Sequence, residues 1–318
     1  MSKDEYLITD APLKALTVFA MPMILGSFFQ QVYNMADSII VGQYVGSSAL
    51  AAVGACAALT NVFICVALGA GIGAGVLVSR YFGARDYSKM KTIVSTSLIS
   101  FLILSILLGV FGFGFSHFMM SLLQTPPDIL DEAVLYLRVY FVGFPFLFMY
   151  NILSTMFTSI GESRIPLVLL IFSSVLNIFL DILFIVPFHM GVAGAAWATI
   201  LSQFLSAVLS LVVGLKNFPI LHLHREDFTD LKDTAVLHLK TGFPMGFQMS
   251  VMCIGQLAMQ AVVNSLGTAA VAGYTAASKA DQLSVLVNNA MMTAISNYVA
   301  QNFGAGRWDR IRQSVRAC

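Results

Sequence analysis

The chain has 318 residues, of which 58% are hydrophobic and only 10% charged, whereas soluble domains carry about 25% charged residues. No water-soluble fold can cover so much apolar surface, so the composition excludes a soluble domain and makes the bilayer the solvent. The formal net charge of +1 gives no basis for nucleic-acid binding.

Residues 1–10 are polar and carry Asp4, Glu5 and Asp10. They lack a basic region followed by a short apolar stretch and a cleavage site, so no cleaved signal peptide is expected. Apolar runs of about 20 residues then mark membrane spans. Eight are expected, at 13–41, 48–78, 92–115, 129–159, 165–187, 192–215, 241–264 and 268–299. The runs are continuous rather than alternating, and backbone groups in lipid must bond within the segment, so each reads as a helix. Cys56, Cys65, Cys253 and Cys318 are scattered without metal-binding spacing and read as small apolar residues.

Positive charge orients the spans. Lys3 and Lys14 lie at the N-terminus, and further Lys and Arg residues follow spans two, four, six and eight. Of the 17 lysines and arginines, only Arg138 and Lys279 fall elsewhere, both inside spans. The positive-inside rule places the N-terminus and these loops in the cytoplasm of a multi-pass protein of the cell membrane.

The chain also repeats itself at an offset of about 220 residues. Phe19-Ala-Met-Pro22-Met23 parallels Gly242-Phe-Pro244-Met245, and Ser79-Arg-Tyr-Phe-Gly83-Ala-Arg-Asp parallels Ala300-Gln-Asn-Phe-Gly304-Ala-Gly-Arg. Six spans separate the copies, so both enter the membrane from the same side, as parallel repeats. The expected fold is an all-α membrane protein of two pseudo-symmetric six-helix bundles, the second truncated after two spans. Residues 1–220 would form the first lobe and 221–318 a linker with part of the second. The charged segment from Lys216 to Leu239 reads as that linker, with a short amphipathic helix.

Ionisable groups inside spans are costly and point to function. Asp37 lies nine residues before Gly46, in the outer half of span one. Asn177 and Asp181 share one face of span five at i,i+4. Asp181 is six residues before Pro187, and Thr199 is about two turns into span six. Topology alone thus brings four oxygen-bearing side chains to a similar depth, suited to a hard monovalent cation or a proton shared between carboxylates. Tyr33 and Asn34 border this region, and Asn151, Lys279 and Asp281 are further cavity candidates. Arg138 is expected to snorkel outward or to pair with Asp131. The run Gly69-Ala-Gly71-Ile-Gly73-Ala-Gly75 lies inside a span with no preceding strand, which argues for close helix packing rather than a dinucleotide loop. No nucleophile–base pair is apparent, so an enzyme is not expected.

Several motifs together resemble the multidrug and toxic compound extrusion (MATE) family, in its bacterial DinF/NorM-like branch. They are Pro22-Met23, Asp37-Ser-Ile-Ile-Val-Gly42, Gly83-Ala-Arg-Asp, Gly161-Glu-Ser-Arg-Ile-Pro166, Leu176-Asn-Ile-Phe-Leu-Asp181, Gly194-Ala-Ala-Trp-Ala-Thr199 and the repeated Gly304-Ala-Gly-Arg. The resemblance implies twelve helices in two lobes and export of organic cations and other drugs in exchange for Na⁺ or H⁺, with no other cofactor. It implies a cation site formed by Asp37, Asn177, Asp181 and Thr199. A monomer in the bilayer is expected, with small-molecule drugs as partners. A lipid-linked oligosaccharide flippase of the same superfamily, or a non-transporting fragment, stands as the alternative.

Overall fold

A computed structural model describes residues 6–123, 125–218, 231–265 and 268–317, and only some of the side chains within α3, α9, α10 and α11. These residues form α1 (Tyr6–Thr9), α2 (Pro12–Tyr44), α3 (Ser47–Gly83), α4 (Tyr87–Leu122), α5 (Pro127–Val142) and α6 (Phe144–Ser159). They continue as α7 (Arg164–Ile185), α8 (Gly191–Asn217), α9 (Leu231–Ser265), α10 (Thr268–Gly304) and α11 (Trp308–Ala317). The architecture is all-helical, as expected for a chain whose backbone must be satisfied without water.

The helices are inverted relative to those of a soluble protein. On α4 the buried face carries Ser95, Ser105, Gly109, Gly112 and Ser116, while Leu107, Val110 and Phe118 are exposed. Small residues let neighbouring helices approach, and large apolar ones meet lipid. The buried hydroxyls are satisfied locally: Ser105 donates to the Leu102 carbonyl at 2.8 Å and Ser116 to that of Phe113 at 3.0 Å. Asp86 caps the start of α4, accepting from the Lys89 N–H at 3.2 Å.

Among the described residues, five helices are long and apolar enough to cross a bilayer, or six if a bent pair is one span. That pair corrects the fourth expected span. Residues 129–159 are not one helix but α5 and α6, bent by 51° at Gly143. Pro145 in the first turn of α6 cannot donate to the preceding turn, which ends the α5 ladder. Gly143 lets Ile200 of α8 reach the break, since a Cβ there would lie 2.3 Å from the Ile200 side chain. The helices α9 and α10, which cover expected spans seven and eight, are equally long but less apolar. The linker is also shorter than expected, because helix already begins at Leu231. The rest of the expected amphipathic segment, at 219–230, lies outside the described residues.

The two repeats meet backbone to backbone. A Cβ on Gly69 would lie 2.5 Å from the Gly246 Cα, and one on Gly73 would lie 2.4 Å from that of Gly242. Two small-xxx-small pairs, one on α3 and one on α9, thus form a single crossing. Nearer the basic loops the contact becomes reciprocal. A Cβ on Gly83 would lie 1.9 Å from the Gln301 carbonyl oxygen, and one on Gly304 the same distance from that of Arg80. These are equivalent positions of the two copies of the repeat. Around them, Ser79 Oγ donates to the Ser159 carbonyl at 2.9 Å and lies 3.0 Å from Asn297 Oδ1, and Gln301 donates to the same Ser159 carbonyl at 2.8 Å.

The short α1 closes over this end. Asn302 Nδ2 donates to the Leu7 carbonyl at 3.0 Å, and the buried Arg310 guanidinium donates to the carbonyls of Leu7, Thr9 and Asp10. Tyr6 donates to the Gly161 carbonyl at 3.0 Å. Burial first, and then the nearby Glu162, push the Tyr6 phenol above its ordinary pKa, which keeps it a donor.

The crossing predicts an asymmetry among glycines. Gly304→Ala should destabilise the detergent-purified protein by about 1–3 kcal/mol, because a backbone carbonyl stands in the way. Gly54→Ala, where a new Cβ meets nothing within 4 Å, should be neutral or mildly stabilising. Thermal unfolding followed by circular dichroism checks both.

A buried carboxylate pair as the candidate functional site

Three helices supply the four candidate residues. Asp37 projects from α2, a helix that contains Pro22 in its interior. Asn177 and Asp181 project from one face of α7, and both are buried. Thr199 projects from α8, with its hydroxyl donating to the Ala195 carbonyl at 3.1 Å. The structure brings all four together, as the topology of the sequence predicts.

The Asp37 and Asp181 carboxyls lie close enough to interact with each other. Asn177 organises the rest. With its amide turned to satisfy both partners, the nitrogen donates to Asp181 Oδ2 at 3.1 Å and the oxygen accepts from the Thr199 backbone N–H at 3.2 Å. That orientation follows from the hydrogen-bond pattern rather than from the positions of N and O. Oδ1 of Asp37 and Oδ1 of Asp181 are buried without a hydrogen-bond partner in the protein. Two carboxylates with unpartnered buried oxygens cannot both remain charged in a low-dielectric site without a cation or a proton between them. Among the described residues no group of three or more His, Cys, Asp or Glu is arranged to hold a metal ion. The oxygen donors at the pair are two carboxylates and the neutral groups of Asn177 and Thr199.

Tyr33, one turn before Asp37, and Tyr136 on α5 both lie close enough to Asp37 to interact with it electrostatically. Tyr136 stacks on Tyr140 with ring centroids 6.0 Å apart and planes at 21°. Sequence reading missed this pair, although its i,i+4 spacing beside polar spans was a usable signal. It also missed Gln203, one turn along α8 from Thr199, whose Oε1 is buried without a partner.

The remaining candidates are dispersed. Asn34 is exposed on α2 and its carbonyl accepts from Ser38. Asn151 donates to the Leu147 carbonyl at 2.8 Å and lines a separate cavity of about 250 Å³. That cavity is lined by uncharged polar groups, among them Gln30, Ser154, Thr158, Asn289 and Thr293, and lies toward the basic end of the molecule. Asp281 is exposed, and the side chain of Lys279 lies outside the described ones. Arg138 donates from Nε to Ser116 Oγ at 3.1 Å and sits over the Phe113 ring at 5.7 Å.

The chain as a whole is similar to known proteins. The profile of the family described as MatE matches residues 22–183 and again 244–318. A probable multidrug resistance protein of Bacillus subtilis, YpnP, is 33% identical over 299 residues, covering 94% of this chain and 67% of the relative. The multidrug export protein MepA of Staphylococcus saprophyticus is 27% identical over 308 residues, covering 95% and 67%. A solved structure described as the outward-facing conformation of a multidrug resistance MATE family transporter superposes with a TM-score of 0.91. It is 25% identical, and the match covers 99% of this chain and 70% of that one. The chain therefore spans about two thirds of the length of these relatives.

Asn177 is the organising group of the site. Asn177→Ala should cost about 1–3 kcal/mol, because it leaves a buried carboxylate oxygen without its donor. Asn177→Gln should not rescue it, since the longer side chain cannot bridge Asp181 and the Thr199 N–H at the same spacing. Unfolding midpoints of the purified variants check this.

Proposed function

The chain belongs to the MatE family, and on that premise we propose that it carries the ion-coupling part of a drug exporter working by alternating access. Organic cations or other drugs leave the cell in exchange for an inward Na⁺ or H⁺. The supporting observation is the Asp37–Asp181 pair with its two unpartnered oxygens, enclosed by Asn177, Thr199 and Tyr33. The names of the relatives support drug export. The charge asymmetry of the sequence supports a cell-membrane protein with its basic loops and N-terminus in the cytoplasm.

In this mechanism the pair has two states. Without a cation or proton the two like charges repel, and the surrounding helices relax apart. When a cation or proton arrives from outside, the carboxyls draw together, as in the described geometry. Either a proton shared between the carboxyls or a monovalent cation bound by them would neutralise the pair. Because α2 carries both Asp37 and the Gln30 lining of the neutral cavity, a movement of α2 links the charge of the pair to the shape of that cavity. A neutralised pair also no longer attracts a cationic drug, which favours release. The less apolar helices α9 and α10 of the second repeat supply the opposing surface against which this lobe rocks.

The cavities favour this reading over a flippase for pyrophosphate-linked lipids, because the cavity that holds Asn151 is lined by no Lys or Arg. A second reading follows from the covered length. A chain matching 67% of its relatives could insert without transporting.

Ethidium efflux from cells expressing the chain, driven by an imposed proton or sodium gradient, tests these readings. The chain should extrude dye only with the gradient. Asp37→Asn and Asp181→Asn should each abolish gradient-driven efflux while leaving the protein in the membrane. Undiminished efflux by Asp37→Asn sinks the site assignment, and absence of efflux by the unaltered chain favours the non-transporting reading.

A further inference from the structure

Arg138 takes no part in the carboxylate site, yet it is an exposed cation inside a membrane span. It is the only Lys or Arg in the half of the first bundle opposite the basic loops. Its Nε is fixed by Ser116 and its plane by Phe113. Among the described residues, these are the contacts of the guanidinium.

Directly beside it runs an apolar groove of about 510 Å³ between α4 and the broken α5–α6 pair. Ile106, Val110, Phe113, Phe141, Val142 and Pro145 line it. Its floor is open because Gly109 and Gly114 carry no side chain. Val142 is one turn from Arg138 on the same face of α5, and Ser116 is one turn from Phe113 on α4, so the guanidinium sits at the mouth of the groove. Ser116 is six residues from the end of α4, about 9 Å along the helix. That is the depth at which headgroup gives way to acyl chain. A lone guanidinium at that depth is costly unless it meets a phosphate or water, and basic sites between membrane helices select lipid headgroups by this chemistry.

We propose that this groove is a binding site for one phospholipid of the leaflet opposite the basic loops, with an acyl chain in the groove and its phosphate on Arg138. Asp131, seven residues outward on the same face of α5, is exposed about 10 Å further from the membrane centre. Asp128 lies at the start of the same helix. These carboxylates disfavour a purely anionic headgroup and favour one that carries an ammonium, as phosphatidylethanolamine does. Because Phe141, Val142 and Pro145 flank the 51° break, the bound chain packs against the hinge of the fourth span.

Native mass spectrometry of the purified chain, in micelles containing phosphatidylethanolamine and phosphatidylglycerol, tests this without any transport measurement. Its failure is therefore separate from failure of the export reading. The unaltered chain should retain one phosphatidylethanolamine in preference to phosphatidylglycerol. Arg138→Met should lower that retention about fivefold, the worth of one basic side chain at a phosphate-bearing surface. Val110→Trp, at an exposed position, should fill the groove and displace the lipid without touching the charge. Equal retention by both variants and the unaltered chain, or a preference for phosphatidylglycerol, overturns the proposal. Circular dichroism of each variant confirms that the helices are intact.

Discussion

A peptide N–H or C=O in hydrocarbon has no water to bond, and every feature of this chain follows from how it meets that constraint. Its answer is helix nearly everywhere. Once the backbone is satisfied inside each helix, apolar side chains gain little by leaving lipid for protein, since both are equally dry. What holds the bundle is close approach, and close approach needs small residues. This is why α4 turns Ser95, Ser105, Gly109, Gly112 and Ser116 inward and Leu107, Val110 and Phe118 outward. It is also why the two repeats cross at Gly69, Gly73, Gly83 and Gly304, where no Cβ can be accommodated.

The same constraint gives the carboxylate pair its meaning. A buried acid beside a half-buried one, among apolar helices, is disfavoured as a pair of free anions. Asn177 spends its amide on Asp181 and on the α8 backbone, which ties the acid to the neighbouring helix. Asp37 stands on a different helix, so the charge between the acids acts across a helix boundary rather than within one element. Local chemistry of that kind can bias a two-state arrangement of packed helices.

The end bearing the basic loops shows how the repeats are joined. Ser79, Ser159, Asn297 and Gln301 form one hydrogen-bonded set across the crossing. Arg310 then gathers the carbonyls of α1 beneath it. A guanidinium satisfied by neutral carbonyls rather than by a carboxylate holds a chain segment through several directional bonds. Any opening at this end must break the set together with the glycine contact, so closure here is cooperative.

Much of this was legible in the residues. Continuous apolar runs fixed the helices, because lipid permits little else. Lys and Arg placement fixed which ends lie together, and the i,i+4 spacing of Asn177 and Asp181, with the depth of Asp37 and Thr199, placed four side chains at one level. The glycine run 69–75 already signalled a close crossing. The tertiary structure alone decided three things. It broke the fourth span at Gly143, where Ile200 packs against the bend; a Pro in an apolar run can begin a helix or bend one, and the residues alone do not say which. It gave Arg138 to Ser116 rather than to Asp131, because side-chain partners depend on the rotation of α5 against α4. It also showed that Asn177 bonds Asp181 and the α8 backbone, and that Tyr136 stands by Asp37. Helix periodicity gives the face and depth of a residue, whereas the partner across the interface is set by how two helices are turned toward each other.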